Sequence, residues 1–241
     1  VSAVPEGPPL PGARASAAVA FCPAPPLLHP DVEVRPDDAT AALRAACAAA
    51  VGDLLAVAPD VVVVVGPGAE PGMRLGRGDA GSFRGFGVDV EVPFDGRARP
   101  GGRRVPVPHT LGAWLLDQAG FAGARVGVAP EDLVQLVRDL PAPVGILAMG
   151  DGSARRSVKA PGYLDEAAEP FDAAVARALR TGDAGALRDL DPAEGERLAA
   201  AGVPVWRAVG AALAGRSLAA RLHSDCAPFG VGYLVASWVA A

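Results

Sequence analysis

The chain has 241 residues, 51% of them hydrophobic, and a formal net charge of −5. That length can bury a substantial core in one domain, and the mild acidity without a basic run argues against nucleic acid as the main ligand. No stretch reaches the roughly 20 apolar residues needed to span a bilayer, so no membrane association is expected.

The start, VSAVPEGPPLPGARAS, lacks the basic and then apolar order of a signal peptide. Its prolines and glycines predict a loose arm over residues 1–15, ahead of one domain over residues 16–241. Three cysteines, Cys22, Cys47 and Cys226, occur without a CxxC spacing and fit a reducing compartment. A cytoplasmic location is the resulting expectation.

Ser16 to Cys22 is short, apolar and flanked by breakers, which predicts a buried first strand. Four prolines between Pro23 and Pro30 then forbid helix and impose an extended loop. From Asp37 or Asp38, either able to cap, Leu43, Cys47, Val51, Leu54 and Leu55 fall at helical spacing. Cys47 lies on that apolar stripe and is expected to be an inert core residue. Val61 to Val65 is a run of valines without alternation, the pattern of a strand covered on both faces.

A long Gly/Arg-rich passage, Ala69 to Arg104, follows, with one alternating segment from Gly87 to Pro93. Connections of this length are usually functional or mobile. Next come a helix from Pro108 to Ala119, a strand from Ala124 to Val128, a helix from Pro130 to Leu140 and a strand from Val144 to Met149. Asp165 to Arg180 is predicted helical, with Phe171, Val175 and Leu179 on one stripe. Further helices are expected from Asp191 and over Val203 to Leu213, and strands over Leu218 to Leu222 and Val231 to Val239. In the last strand Tyr233 and Trp238 differ by five positions and so belong to opposite faces. The alternation predicts an α/β fold: one domain with a central, mostly parallel sheet, helices on both faces and a pocket at the strand ends.

The window with most chemistry is GILAMGDGSARRSVKAPGYLD, Gly145 to Asp165. A buried strand stops at Gly150-Asp151-Gly152 and delivers Ser153, Arg155 and Arg156 to a loop. Backbone N–H groups freed by glycine, with two guanidinium forks, make a seat for a carboxylate or phosphate. The competing reading has Asp151 pinning the loop through backbone hydrogen bonds while the arginines pair with acids such as Asp165 or Glu166.

Together with the proline-rich loop, the motifs MGDGSARRS, APGYLDEAAEPFDAAVARAL and APFGVGYLVASW resemble the B-subunit-like branch of class III extradiol dioxygenases, especially its actinobacterial members. The resemblance runs from Ala18 to Trp238 and is weakest between Ala69 and Arg104. It implies the class III extradiol dioxygenase fold in its B-subunit-like form. It also implies an Fe(II) site of two histidines and a carboxylate with open positions for a catechol and O2, plus an acid/base histidine.

This chain departs from that pattern at each position. Where the family often has Pro-His-Pro-Pro, the chain has Ala24; where Pro-His follows the second strand, it has Gly68; where Gly-Asp-x-Ser-His carries the acid/base group, it has Ala154. Before Ala-Pro-Phe-Gly, Cys226 stands in place of a carboxylate, with Asp225 beside it. The expectation is therefore a degenerate, non-catalytic member with no cofactor, acting as a small-molecule-binding or protein-interaction module. Its pocket would comprise Ala24, Gly68, Asp151, Ser153, Ala154, Arg155, Arg156 and Cys226, and its ligand would be a small anionic or aromatic molecule. The alternative is an active dioxygenase or other oxidoreductase holding Fe(II) or another divalent metal through His29, His223, Asp225 and Cys226. Homo-oligomers are expected from the resemblance alone.

Overall fold

The computed structural model describes residues 17–33, 35 and 37–240. The expected arm, residues 1–15, lies outside them. Among the described residues, six strands form one sheet: β1 (Ala17–Cys22), β2 (Val61–Val65), β5 (Ala124–Val128), β6 (Val144–Met149), β7 (Leu218–Cys226) and β8 (Tyr233–Ala240), in the order β5-β2-β6-β1-β8-β7. The first four are parallel; β8 runs antiparallel to both β1 and β7. A separate two-stranded sheet pairs β3 (Ala80–Ser82) with β4 (Glu91–Pro93).

The run of valines in β2 is explained by cover on both faces. Val62 and Val64 enter a core with Leu43 and Cys47 of helix α1 (Asp38–Leu55) and Leu111 and Leu116 of α2 (Val107–Gln118). Val63 and Val65 enter a second core with Leu133 of α3 (Leu133–Asp139), Val175 of α4 (Ala168–Thr181) and Trp206 of α7 (Val203–Ala212). Helices α5 (Ala184–Arg188) and α6 (Pro192–Arg197) lie between α4 and α7 in the chain. Tyr233 joins the first core and Trp238 the second, as the strand period requires. Trp238 packs edge-on against Phe21 at 4.8 Å between ring centroids and donates from Nε1 to Leu179 O at 2.7 Å.

Local signals explain most boundaries. Asp37 caps α1 by accepting from the N–H groups of Ala39 and Thr40. Gly182, at φ 70°, ends α4 in the left-handed region. The alternating segment from Gly87 to Pro93 forms a strand only over β4; Gly87, at φ 86°, instead closes a 3-10 turn in the left-handed region. The helix predicted from Asp165 begins at Ala168, since Asp165 is held in the preceding loop, where its Oδ1 accepts from Ala167 N–H. The strand predicted to stop at Leu222 continues to Cys226 through a bulge between Leu222 and Ser224. No helix among the described residues is long and apolar enough to cross a membrane.

The topology defines where the loops diverge. The chain leaves β1 and β2 toward α1 and α2 on one face, and leaves β5 and β6 toward α3 and α4 on the other. Because β6 lies between β2 and β1, its loop diverges from both neighbours at their carboxyl ends. Ligands of open α/β sheets bind in such a crevice.

Candidate functional site

The loop after β6 extends the ladder for one residue, with Gly150 N–H donating to Cys22 O at 2.9 Å. Only glycine fits there, because a Cβ would come 2.5 Å from the Gly202 Cα. Asp151 follows, and its Oδ1 accepts from Ala24 N–H at 2.7 Å, tying the β6 loop to the β1 loop. Its carbonyl accepts from Gly202 N–H, also at 2.7 Å. Protein surrounds Asp151 on nearly all sides, yet part of its surface stays open to solvent. Burial pushes its pKa up from 3.8 to about 6, against the opposing effect of the Ala24 hydrogen bond. A carboxyl poised there can accept or release a proton near neutral pH.

Other titratable groups gather nearby. Burial raises the Tyr233 pKa, and the negative charges of Asp151 and Cys226 add to the effect. The Cys47 thiol is raised by its hydrogen bond with Cys22 and by burial. Cys226 is only half-buried, with Sγ 3.5 Å from Ser224 Oγ and 3.9 Å from Tyr233 O. His109, at the start of α2, is wholly buried, its pKa lowered to about 4 by desolvation. Its Nε2 lies 2.9 Å from Val128 O, so the neutral ring donates there and leaves Nδ1 without a partner.

The remaining loop is stitched in place. Gly152 N–H donates to Gly232 O, Gly232 N–H to Ser153 O, and Arg156 N–H to Gly230 O. Ser153 is fully buried and turned away from any ligand: its N–H and hydroxyl both donate to Asp172, at 2.8 and 2.6 Å. Arg156 bonds the same carboxylate at 3.1 Å and approaches Glu169 at 3.4 Å. Arg155 donates to Gly162 O at 2.7 Å, and its Nε is buried without a partner.

These bonds turn the expected anion seat into scaffolding. The acids involved are Asp172 and Glu169 in place of the expected Asp165 or Glu166; Asp165 pairs instead with Arg197. Asp172 escapes a reading of the sequence alone, although its place one residue after Phe171, on the stripe continued by Val175, marks a carboxylate facing the core.

The fallback metal ligands do not converge. His29 is buried against the rings of Phe83 and Trp114, at 4.9 and 5.3 Å, and is not the surface residue its loop position suggests. His223 is the extra residue of the β7 bulge and is likewise turned inward: Nε2 donates to Ser237 Oγ at 2.9 Å and lies 3.3 Å from Asp53. Among the described residues no three His, Cys, Asp or Glu side chains form a group able to hold a metal ion. With Ala24, Gly68 and Ala154 at the positions the resemblance marks for histidines, the donor set does not fit an Fe(II) triad.

The expected pocket residues do not line one open cavity. Ala24 is buried beside Asp151, and Ala154 N–H donates to Leu198 O. Gly68, at φ 90°, opens on two small clefts shared with Arg104 and Pro106. An apolar cleft of about 610 Å3 lies between Pro67 and the segment joining α6 to α7, lined by Ala199, Ala200 and Val203. No protein-family profile matches the chain, and no curated protein matches it.

Proposed function

We propose that this chain is a small-molecule-binding relative of the class III extradiol dioxygenases, B-subunit-like branch, in which the iron chemistry has been lost. The observation that carries the reading is Asp151, a deep but partly open carboxylate at the topological switch point, tied to Ala24 N–H and pushed up to about 6 by burial. Alanine and glycine at positions 24, 68 and 154 put no imidazole at those three places while keeping the glycine and proline framework.

The chemistry of the floor selects the ligand. An ionised Asp151 repels anions, Arg156 is paired with Asp172, and Arg155 donates to Gly162 O. A neutral aromatic molecule with a hydroxyl group suits the site better, because the hydroxyl donates to the carboxylate and the ring needs no charge partner. The anionic class is thereby displaced by the aromatic one.

Calorimetric titration with catechol, phenol and benzoate tests the proposal. Catechol and phenol should bind and benzoate should not, and Asp151→Asn should weaken catechol about tenfold, the loss of one charge-assisted hydrogen bond. Catechol-dependent O2 uptake after loading with Fe(II) would overturn it.

A further inference from the structure

The passage from Ala69 to Arg104 has a use that the crevice does not absorb. It is folded tightly around Asp79, which is buried and accepts from the N–H groups of Gly76 at 2.9 Å and Arg103 at 2.8 Å. Its far end is fastened to the sheet edge, where Leu75 and Gly127 exchange two backbone hydrogen bonds at 2.8 and 2.9 Å. Residues 103–105 lie alongside β3: Ala80 N–H donates to Arg103 O and Val105 N–H to Ala80 O.

Two glycines set the basic loop 99–104 against this frame. Gly102 packs so closely on the Gly78 carbonyl that no Cβ fits. Gly78, at φ 98°, lies beneath the Arg99 stem, where a Cβ would come 3.0 Å from Arg99 Cδ. Arg99 N–H donates to Gly78 O at 3.0 Å and Gly102 N–H to Arg99 O at 2.9 Å. The three guanidinium groups of Arg99, Arg103 and Arg104 thus project from a fixed backbone.

They border two adjoining clefts. A cleft of about 500 Å3 is bordered by Ser82, Arg99, Arg103 and Arg104; a second of about 340 Å3 shares Ser82 and Arg104 with it and ends at Gly68. Arg103 is partly engaged by Asp79 at 3.4 Å, whereas Arg99 and Arg104 form no ion pair among the described residues. Glu91 borders the same cleft, so three guanidiniums face two carboxylates and the balance is positive. Exposed arginines on a fixed backbone at a polar cleft match the oxygens of a phosphate group, since each planar fork offers paired donors.

We propose that the cleft between Ser82 and Arg99–Arg104 binds the phosphate group of a small molecule. The acidic net charge of the chain favours a small ligand over a nucleic acid. The proposal is independent of the chemistry at Asp151.

Calorimetry with pyrophosphate and phenyl phosphate at physiological salt tests it. Binding tighter than about 1 mM is expected, and Arg99→Ala and Arg104→Ala should each weaken it about tenfold, while Arg104→Lys retains part of the affinity. Arg197→Gln, at an arginine already paired with Asp165, should leave binding unchanged. Thermal unfolding checks that each variant is folded. Absence of binding by wild-type protein up to about 10 mM ligand, equal weakening by Arg197→Gln, or tighter binding of a single-stranded oligonucleotide would each overturn the proposal.

Discussion

Ala24 N–H donates to the Asp151 carboxylate at 2.7 Å across 127 positions of sequence, joining the loops after β1 and β6. The bond fixes the carboxyl between the two loops, and burial disfavours its charge.

The first prediction concerns pH. The folded state binds more protons at Asp151 than the unfolded chain between pH 3.8 and about 6, so this group's contribution to stability falls as pH rises through that window, by up to about 3 kcal/mol. His109 acts in the opposite sense. Its folded pKa of about 4 lies below 6.5, so its contribution is fully present above 6.5 and is lost as pH falls toward 4, by about 3 kcal/mol. The two slopes oppose each other in the parent protein. Asp151→Asn, which keeps an acceptor for Ala24, should be more stable than the parent above pH 6 by about 1–3 kcal/mol and should show a stability that climbs steadily from pH 4 to 6.5. His109→Gln should expose the falling slope of Asp151. Urea unfolding at half-unit pH steps reads both, and parallel parent and variant curves would contradict the assignment.

A second prediction concerns the clamp beneath the loop. Asp172→Ala removes a wholly buried acceptor of two Ser153 donors and of Arg156, and should cost about 3–5 kcal/mol. Gly232→Ala should also destabilise, because a Cβ there collides with the Asp172 carboxylate. Denaturant midpoints measure both; a cost below about 1 kcal/mol for Asp172→Ala would mean that the network does not hold the loop.

The thiols give a third. Cys22 and Cys47 are buried free thiols hydrogen-bonded to each other, whereas Cys226 is half-exposed beside Tyr233. Under native conditions iodoacetamide should label Cys226 first and leave the other two until the protein unfolds. Peptide mass mapping over time decides the order. Labelling of Cys47 at the same rate would show that the core around α1 opens freely.

Much of the sheet is legible in the sequence because its residues answer to local rules. Five valines in β2 fit a strand covered twice, and Asp37 places the start of α1 by its capping oxygen. The end of β6 is legible for the same reason, since an apolar run ending in Gly150-Asp151-Gly152 announces a strand end. Partner choice is not legible. Arg155 and Arg156 look free to bind an anion because Asp172, sixteen positions after Arg156, meets the Arg156 guanidinium only once α4 is packed on the sheet. His29 and His223 mislead for a similar reason: one is enclosed by rings from Phe83 and Trp114, the other is turned inward by a bulge that no local signal marks.

Carbon-detected NMR titration of the Asp151 carboxyl, with and without catechol, is the most direct measurement. The account predicts a pKa near 6 in the free protein and a lowered value with catechol bound, as the ligand hydroxyl donates to the ionised oxygen. An ordinary carboxylate pKa near 3.8, unmoved by catechol, would contradict it.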